Sequence, residues 1–206
     1  MTRSPRDRVV LATHNTGKLA EMQRILAPLV PGVEVLGLDD VPAYDEPVES
    51  EATFAGNALI KARAAVTATG LLALADDSGL CVDALNGMPG VLSARWAGVG
   101  KDDRRNNELL LAQLREVPQQ RRGAHFCCAV ALCRPDGLEE TACGEMRGRI
   151  IEQMRGSGGF GYDVVFAPEG YARTTAELPA ADKDALSHRG QALRAIAPLV
   201  AAALRR

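Results

Sequence analysis

Short apolar runs of β type alternate with helical spacing through the first half of the chain, and this alternation restricts the architecture more than any other feature. Val9 to Thr13 is a β-type run, after which Leu19, Met22, Leu26 and Leu29 recur at helical spacing until Pro31 and Gly32 break the pattern. Val33 to Leu38 predicts a second strand. Asp39 to Glu51 is a loop rich in proline and acids, and Phe54 to Thr69 resumes helical periodicity through Ala58, Leu59, Ala62 and Ala65. Leu71 to Ala75 predicts a third strand, and Asp102 to Arg115 a helix with Leu110 and Leu114 on one face. Strands separated by helices bury their apolar faces as an α/β layer structure.

Beyond these segments the pattern changes. His125 to Ile151 reads as strands separated by Arg134-Pro135-Asp136-Gly137 and by Gly144, a hairpin or meander that extends a mixed sheet or forms a second lobe. A glycine-rich loop at Gly156 to Gly161, a strand at Val164 to Phe166 and a final helix after Ser187 complete the chain. No internal repeat or flexible linker divides it, so residues 1–206 read as one domain.

Charge and composition narrow the partners. Lys plus Arg number 24 against 26 Asp plus Glu, a formal charge of -2, so no basic excess supports binding of a nucleic-acid polymer. A hydrophobic content of 47% is that of a globular core. The polar amino end, Met1 to Arg8, precedes an apolar stretch too short for a signal core, and Ala195 to Leu204 carries Pro198 and falls short of a span of roughly 20 residues. The expectation is a cytoplasmic protein with no membrane partner. Cys81, Cys127, Cys128, Cys133 and Cys143 contain no C-x-x-C pair and sit mostly in strand-like segments, which reads as reduced, half-buried thiols.

Two adjacent acids, Asp76 and Asp77, close the run Leu71 to Ala75 and precede Ser78-Gly79. A buried strand ending in two acids is a place for divalent metal or proton-transfer chemistry, and equally a plain strand-to-turn exit. Thr13-His14-Asn15-Thr16-Gly17-Lys18 follows the first strand and opens the first helix, where free N–H groups and the helix dipole favour an anion and Lys18 adds a full charge. It is not a Walker A loop, since Ala12 replaces the first glycine and Leu19 the hydroxyl residue. Gly156-Ser157-Gly158-Gly159-Phe160-Gly161 matches G-x-G-x-x-G but precedes a strand-like segment, which excludes a dinucleotide fold; Phe160 or Tyr162 can still stack on a base. Glu49 and Glu51 lie in the acidic loop, and a carboxylate there could join Asp77 at one Mg²⁺, an ion satisfied by one or two protein oxygens plus phosphate and water.

The pieces Thr13-x-Asn15-x-x-Lys18, Thr53-Phe54-x-x-Asn57-Ala58-x-x-Lys61-Ala62, Ala75-Asp76-Asp77-Ser78-Gly79-Leu80, Gly159-Phe160-Gly161-Tyr162-Asp163 and Ser187-His188-Arg189 come in a single order, with Met88-Pro89-Gly90 and Ser93-Ala94-Arg95 between them. In this the chain closely resembles the inosine/xanthosine triphosphate pyrophosphatase family, the house-cleaning enzymes that remove non-standard purine nucleotides. The resemblance implies an α/β fold with an elongated mixed β-sheet flanked by helices, two lobes with a nucleotide cleft between them, and a homodimer. It also implies Mg²⁺-dependent hydrolysis of ITP, dITP and XTP, small-molecule nucleotide substrates, to the monophosphate and pyrophosphate.

Carried over by residue, Thr13, His14, Asn15, Thr16, Gly17 and Lys18 would hold the triphosphate, and Asp77 would be the acid-base group at the metal with Glu49 as its partner. Lys18 and Lys61 would neutralise phosphate charge, and Ser78 would contact substrate. Phe160, Gly161, Tyr162 and Asp163 would enclose the base, with Lys183, His188 and Arg189 completing the pocket. The chain departs from the family pattern at His14, Gly56 and Val164. Two rivals remain at this level: a pyrophosphatase for modified pyrimidine nucleotides, and a nucleotide-binding regulator without catalysis.

Overall fold

A computed structural model describes residues 7–205; most of the polar amino-terminal stretch read above lies outside the described residues. Six strands form one mixed sheet in the order β2-β1-β3-β4-β5-β6. They are β1 (Arg8–Leu11), β2 (Glu34–Leu36), β3 (Leu72–Val82), β4 (Gly123–Cys133), β5 (Glu139–Ile150) and β6 (Phe166–Pro168). β1 runs parallel to both β2 and β3, pairing Val9 with Val35 and Val10 with Ala73, whereas β5 and β6 are antiparallel. Parallel neighbours require a crossover, and α1 (Thr16–Leu29) and α2 (Phe54–Thr69) supply the two that the alternating pattern predicts.

The chain divides into two compact units: residues 1–77, 128–144 and 189–206 in one, and 78–127 with 145–188 in the other. In the first, Val9 and Leu11 of β1 meet Met22, Ile25 and Leu26 of α1 and Leu193, Ile196 and Val200 of α5 (His188–Leu204). A second layer in the same unit is built from small side chains, Ala58, Ala62 and Ala65 of α2 against Val10, Ala73 and Ala75, which brings α2 close to the sheet. In the other unit Leu80, Val82, Phe126 and Ile150 pack with Leu110 of α3 (Asp103–Gln113), with Leu114 that caps its carboxyl end, and with Tyr162 and Phe166. Full burial of each such Leu or Phe contributes roughly 1.5–3 kcal/mol.

Helix ends follow local chemistry. Asn15, Thr53 and Asp102 cap α1, α2 and α3, each accepting from the backbone N–H of the third residue on. Gly70, at φ +67°, closes α2 in the left-handed conformation, its N–H bonded to the Val66 carbonyl at 2.8 Å.

The structure corrects the reading of the third strand. β3 does not stop at the acids but runs through Asp76, Asp77, Ser78 and Gly79 to Val82. Leu80 and Val82 continue the apolar alternation into a core, and the Leu80 N–H finds the Ser93 hydroxyl at 2.9 Å. Turn-forming residues stay extended where packing and hydrogen bonds reward it. Gly144 likewise lies inside β5 without breaking it. The strand expected at Val164 to Phe166 is also displaced: Gly161–Val164 is a 3-10 turn and β6 begins at Phe166, because the Asp163 carboxylate accepts the Phe160 N–H at 2.9 Å and winds the segment back. A short α4 (Ala180–Leu186) precedes α5.

Candidate functional site

Two groups of polar side chains are buried, one in each unit. Because β3 persists through both acids, its alternation sends Asp76 and Asp77 to opposite faces, each with its own partners.

Asp77 is 6% exposed. Its Oδ2 accepts from Asn57 Nδ2 at 3.1 Å, and its Oδ1 lies 3.5 Å from Lys61 Nζ. The same ammonium donates to Glu49 Oε1 at 2.9 Å, so one cation holds two carboxylates. Asn57 and Lys61 are four apart on the buried face of α2, between the alanines that dock it. Asn57 also fixes the acidic loop, its Oδ1 accepting the Glu51 N–H at 2.9 Å. Gly56 permits this approach: a Cβ there would lie 2.6 Å from Glu51 Cβ. Burial and the charge of Glu49 raise the Asp77 carboxyl above its ordinary value, against the opposing pull of Lys61, Lys18 and the Asn57 hydrogen bond. Burial works to lower Lys61, but Asp76, Asp77 and Glu49 together raise it, so it remains an ammonium.

A carboxylate with raised basicity beside a second carboxylate suits both proton acceptance and a hard divalent cation. Among the described residues no third His, Cys, Asp or Glu joins Asp77 and Glu49 within reach of one ion. Two protein oxygens fit a cation that keeps water and substrate oxygens in its shell.

Asp76 turns the other way and is 1% exposed. Its Oδ2 receives Lys18 Nζ at 3.1 Å, Arg189 Nη2 at 3.1 Å and Arg189 Nε at 3.3 Å, with the Cys128 thiol at 3.8 Å. Arg189 also binds Glu21. Burial pushes the Asp76 carboxyl up, but Lys18, Arg189 and Lys61 hold it far below the ordinary range. Arg189, expected against the base, is itself buried between these two carboxylates.

At the start of α1, Asn15 Oδ1 accepts the Lys18 N–H at 3.0 Å and Thr13 Oγ1 accepts the Asn15 N–H at 3.2 Å. His14, Asn15 and Thr16 are exposed, and Gly17 and Lys18 half-buried. Lys18 therefore sits in the first turn of the helix with its ammonium steered by Asp76.

In the other unit Asp163 organises a second corner. Its Oδ2 accepts the Phe160 N–H at 2.9 Å and the Lys183 ammonium, and its Oδ1 accepts the Thr175 hydroxyl at 2.7 Å. Lys183 Nζ stands 5.0 Å over the centroid of the half-buried Phe160 ring. The Gly161 N–H donates to Asp103 Oδ2 at 2.6 Å, and the Gly161 carbonyl accepts from Asn107 at 2.8 Å. Tyr162 is buried, its hydroxyl donating to the Ser93 carbonyl at 2.9 Å, and burial raises its phenol. His188 stacks on Phe126, centroids 4.9 Å apart. Ser78 is half-buried in β3 directly after Asp77.

Asn57, Glu21 and Thr175 hold the expected residues and were not among the site residues read from sequence. A signal existed for Asn57, a polar residue on the alanine-rich stripe of α2 that also carries Lys61. Glu21 likewise lies beside Met22 on a buried helix face.

Comparison with known proteins gives the same assignment as the ordered motifs. The model of the Ham1 family matches residues 9–199. A dITP/XTP pyrophosphatase of Nocardia farcinica is 58% identical over 196 residues, covering 95% of each chain. The solved structure of a nucleoside-triphosphatase / dITP/XTP pyrophosphatase from Mycobacterium abscessus is 53% identical with a TM-score of 0.75, covering 93% of this chain and 99% of that one. The Staphylococcus aureus Ham1 protein, 36% identical, has a TM-score of 0.82 and covers 94% and 97%. The profile match over nearly the whole chain and identities of this size establish that the chain belongs to the Ham1 family.

Proposed function

We propose that this protein hydrolyses the non-standard purine nucleoside triphosphates dITP, ITP and XTP to the monophosphate and pyrophosphate, and so cleanses the nucleotide pool. The activity named for the relatives supports the reaction, and the Asp77–Asn57–Lys61–Glu49 constellation is the single observation that carries it to residues of this chain. Residues 1–206 act as one catalytic module, in the cytoplasm and as a homodimer. Among the described residues no helix is long and apolar enough to cross a membrane.

Cleavage between the α and β phosphates needs a water in line, a base for its proton, and positive charge where pyrophosphate departs. Asp77 takes the proton. Burial raises its basicity, and Asn57 fixes its plane through Oδ2 while Oδ1 lies 3.5 Å from Lys61 Nζ. Lys61 keeps Asp77 and Glu49 together despite their repulsion. Mg²⁺ held by Asp77 and Glu49 would supply Lewis-acid polarisation of the phosphate oxygens. Lys18 and the amino end of α1, with Thr13 to Gly17, receive the phosphate chain, Asp76 setting where the Lys18 ammonium stands. Ser78 contacts the substrate next to Asp77.

Base selection belongs to the corner around Asp163. Phe160 offers a stacking face, Tyr162 holds the loop from below, and a donor from Lys183 or a loop N–H meets the purine 6-keto oxygen. Adenine presents an amino group there, which leaves that donor unpaired and costs about 1–3 kcal/mol. His188 borders this corner through its stack on Phe126. Arg189 serves the phosphate side as a positioning residue, through Asp76.

The test is a panel of nucleoside triphosphates, including dITP, XTP, ATP and a dUTP-type substrate, scored for pyrophosphate with and without Mg²⁺ and repeated with Asp77→Asn. The expected result is Mg²⁺-dependent turnover of the 6-keto purines, abolished in the variant with substrate affinity retained. Equal turnover of ATP and dITP, or near wild-type turnover in Asp77→Asn, overturns the assignment.

A further inference from the structure

Outside this site the structure brings together Cys81, His125 and Cys127, whose ligand atoms all lie within 4.8 Å of one another. We propose that these three side chains form a second metal site, selective for a borderline-soft divalent cation such as Zn²⁺ and separate from the Mg²⁺ chemistry of the carboxylates.

The trio follows from sheet geometry. His125 and Cys127 are two apart on β4 and so share a face, and they alternate with Ala124, Phe126 and Cys128, which are buried. Cys81 lies between the buried Leu80 and Val82 on β3, the strand beside β4 in the sheet. All three therefore point away from the Leu80–Phe126 core, half-buried and reachable. The Cys81 and Cys127 thiols are close enough to hydrogen-bond each other. His125 also borders a cavity of about 300 Å³ lined by Asp83, Arg147, Arg149 and Glu169.

Two sulfurs and one imidazole are a donor set for zinc, while magnesium requires oxygen. Donors around a tetrahedral ion at about 2.0–2.3 Å stand roughly 3.5 Å apart, so side-chain rotation alone can close the cluster. Asp83 and Glu145 lie near enough to act on Cys81, Glu145 being paired with Arg147 at 2.8 Å. Both thiols give their protons to solvent as the metal binds, and water takes the fourth position, which makes this an open and exchangeable site. The sequence reads these cysteines as plain reduced thiols, because no metal-binding spacing links position 81 to 125 and 127; the adjacency of β3 and β4 creates the set.

The experiment titrates the reduced, metal-free full chain with Co²⁺ while Mg²⁺ saturates the oxygen site. The expected result is one Co²⁺ per chain with thiolate-to-cobalt charge transfer in the near ultraviolet and four-coordinate bands in the visible, both erased by Zn²⁺. Cys127→Ser and His125→Ala should each weaken Co²⁺ binding by more than about tenfold, the loss that even an outer partner of a metal ligand causes. Mg²⁺-dependent pyrophosphate release stays as in the wild type, and Cys143→Ser, at an exposed cysteine outside the trio, leaves the spectrum unchanged. Near-ultraviolet circular dichroism shows that each variant is folded; if Cys127→Ser is not, His125→Ala carries the test. No thiolate charge transfer in the wild type, or undiminished binding in the folded variants, overturns the proposal. Neither outcome depends on which nucleotide the enzyme hydrolyses.

Discussion

Replacing Asp76 by Asn removes one negative charge from a place where two cations converge. The carboxylate is 1% exposed and holds Lys18 Nζ at 3.1 Å and the Arg189 guanidinium at 3.1 and 3.3 Å. Removing one partner of a buried ion pair costs about 3–5 kcal/mol, since the charge left behind has lost its solvation without recompense. Here Glu21 still binds Arg189, and the Lys18 side chain, 15% exposed, can turn toward water, which places the loss at the lower end, about 3 kcal/mol. With a urea m-value of about 2 kcal/mol/M, the unfolding midpoint should fall by roughly 1.5 M at pH 7. The variant should still fold, since a domain has about 5–15 kcal/mol in hand.

The pH dependence has a definite sign. The folded-state carboxyl of Asp76 lies below the ordinary value of 3.8, so its contribution is fully present above that value and is lost as pH falls toward the folded value. The gap between wild type and Asp76→Asn should therefore be constant from pH 7 to 5 and shrink below about pH 4. Catalytic turnover should fall as well, because Lys18 loses the group that directs it. A midpoint shift under about 0.3 M at pH 7, or a gap that does not narrow on acidification, refutes the account of this network.

Gly56→Ala places a Cβ 2.6 Å from Glu51 Cβ and 2.8 Å from its Cγ, and should displace the loop that carries Glu49. Alanine is the better helix former by about 1 kcal/mol, yet kcat/KM should drop about tenfold with no gain in melting temperature; a stabilised, fully active variant contradicts the packing argument. Thr175→Val removes the hydroxyl bonded to Asp163 Oδ1 at 2.7 Å. It should narrow the dITP-to-ATP ratio of kcat/KM by about tenfold while Mg²⁺ dependence is unchanged, and an unaltered ratio separates Thr175 from base selection. The acid limb of the kcat/KM profile should lie above the ordinary Asp value of 3.8, since burial raises Asp77 and activity requires its ionised form; a limb at or below that value excludes it as the base.

The amino-acid sequence by itself determined the elements whose periodicity is strong. The helix expected over Phe54 to Thr69 has those bounds in the structure, because a polar cap, a recurring stripe of alanines and a terminal glycine are all local signals. The ordered motifs likewise sufficed for the family. Where local preference met tertiary packing, packing prevailed: Asp76 to Gly79 reads as a strand exit, yet it continues β3 because Leu80, Val82 and Ser93 engage the chain beyond.

What each acid meets was decided only in three dimensions. Strand alternation states that neighbours part, but not what each one meets; Asp76 finds Arg189 across 113 positions and Asp77 finds Asn57 across 20. The same holds for Cys81, which reaches His125 and Cys127 only because β3 and β4 lie side by side. Periodicity records how one element turns its faces, and it carries no record of which distant side chain the packed sheet sets opposite.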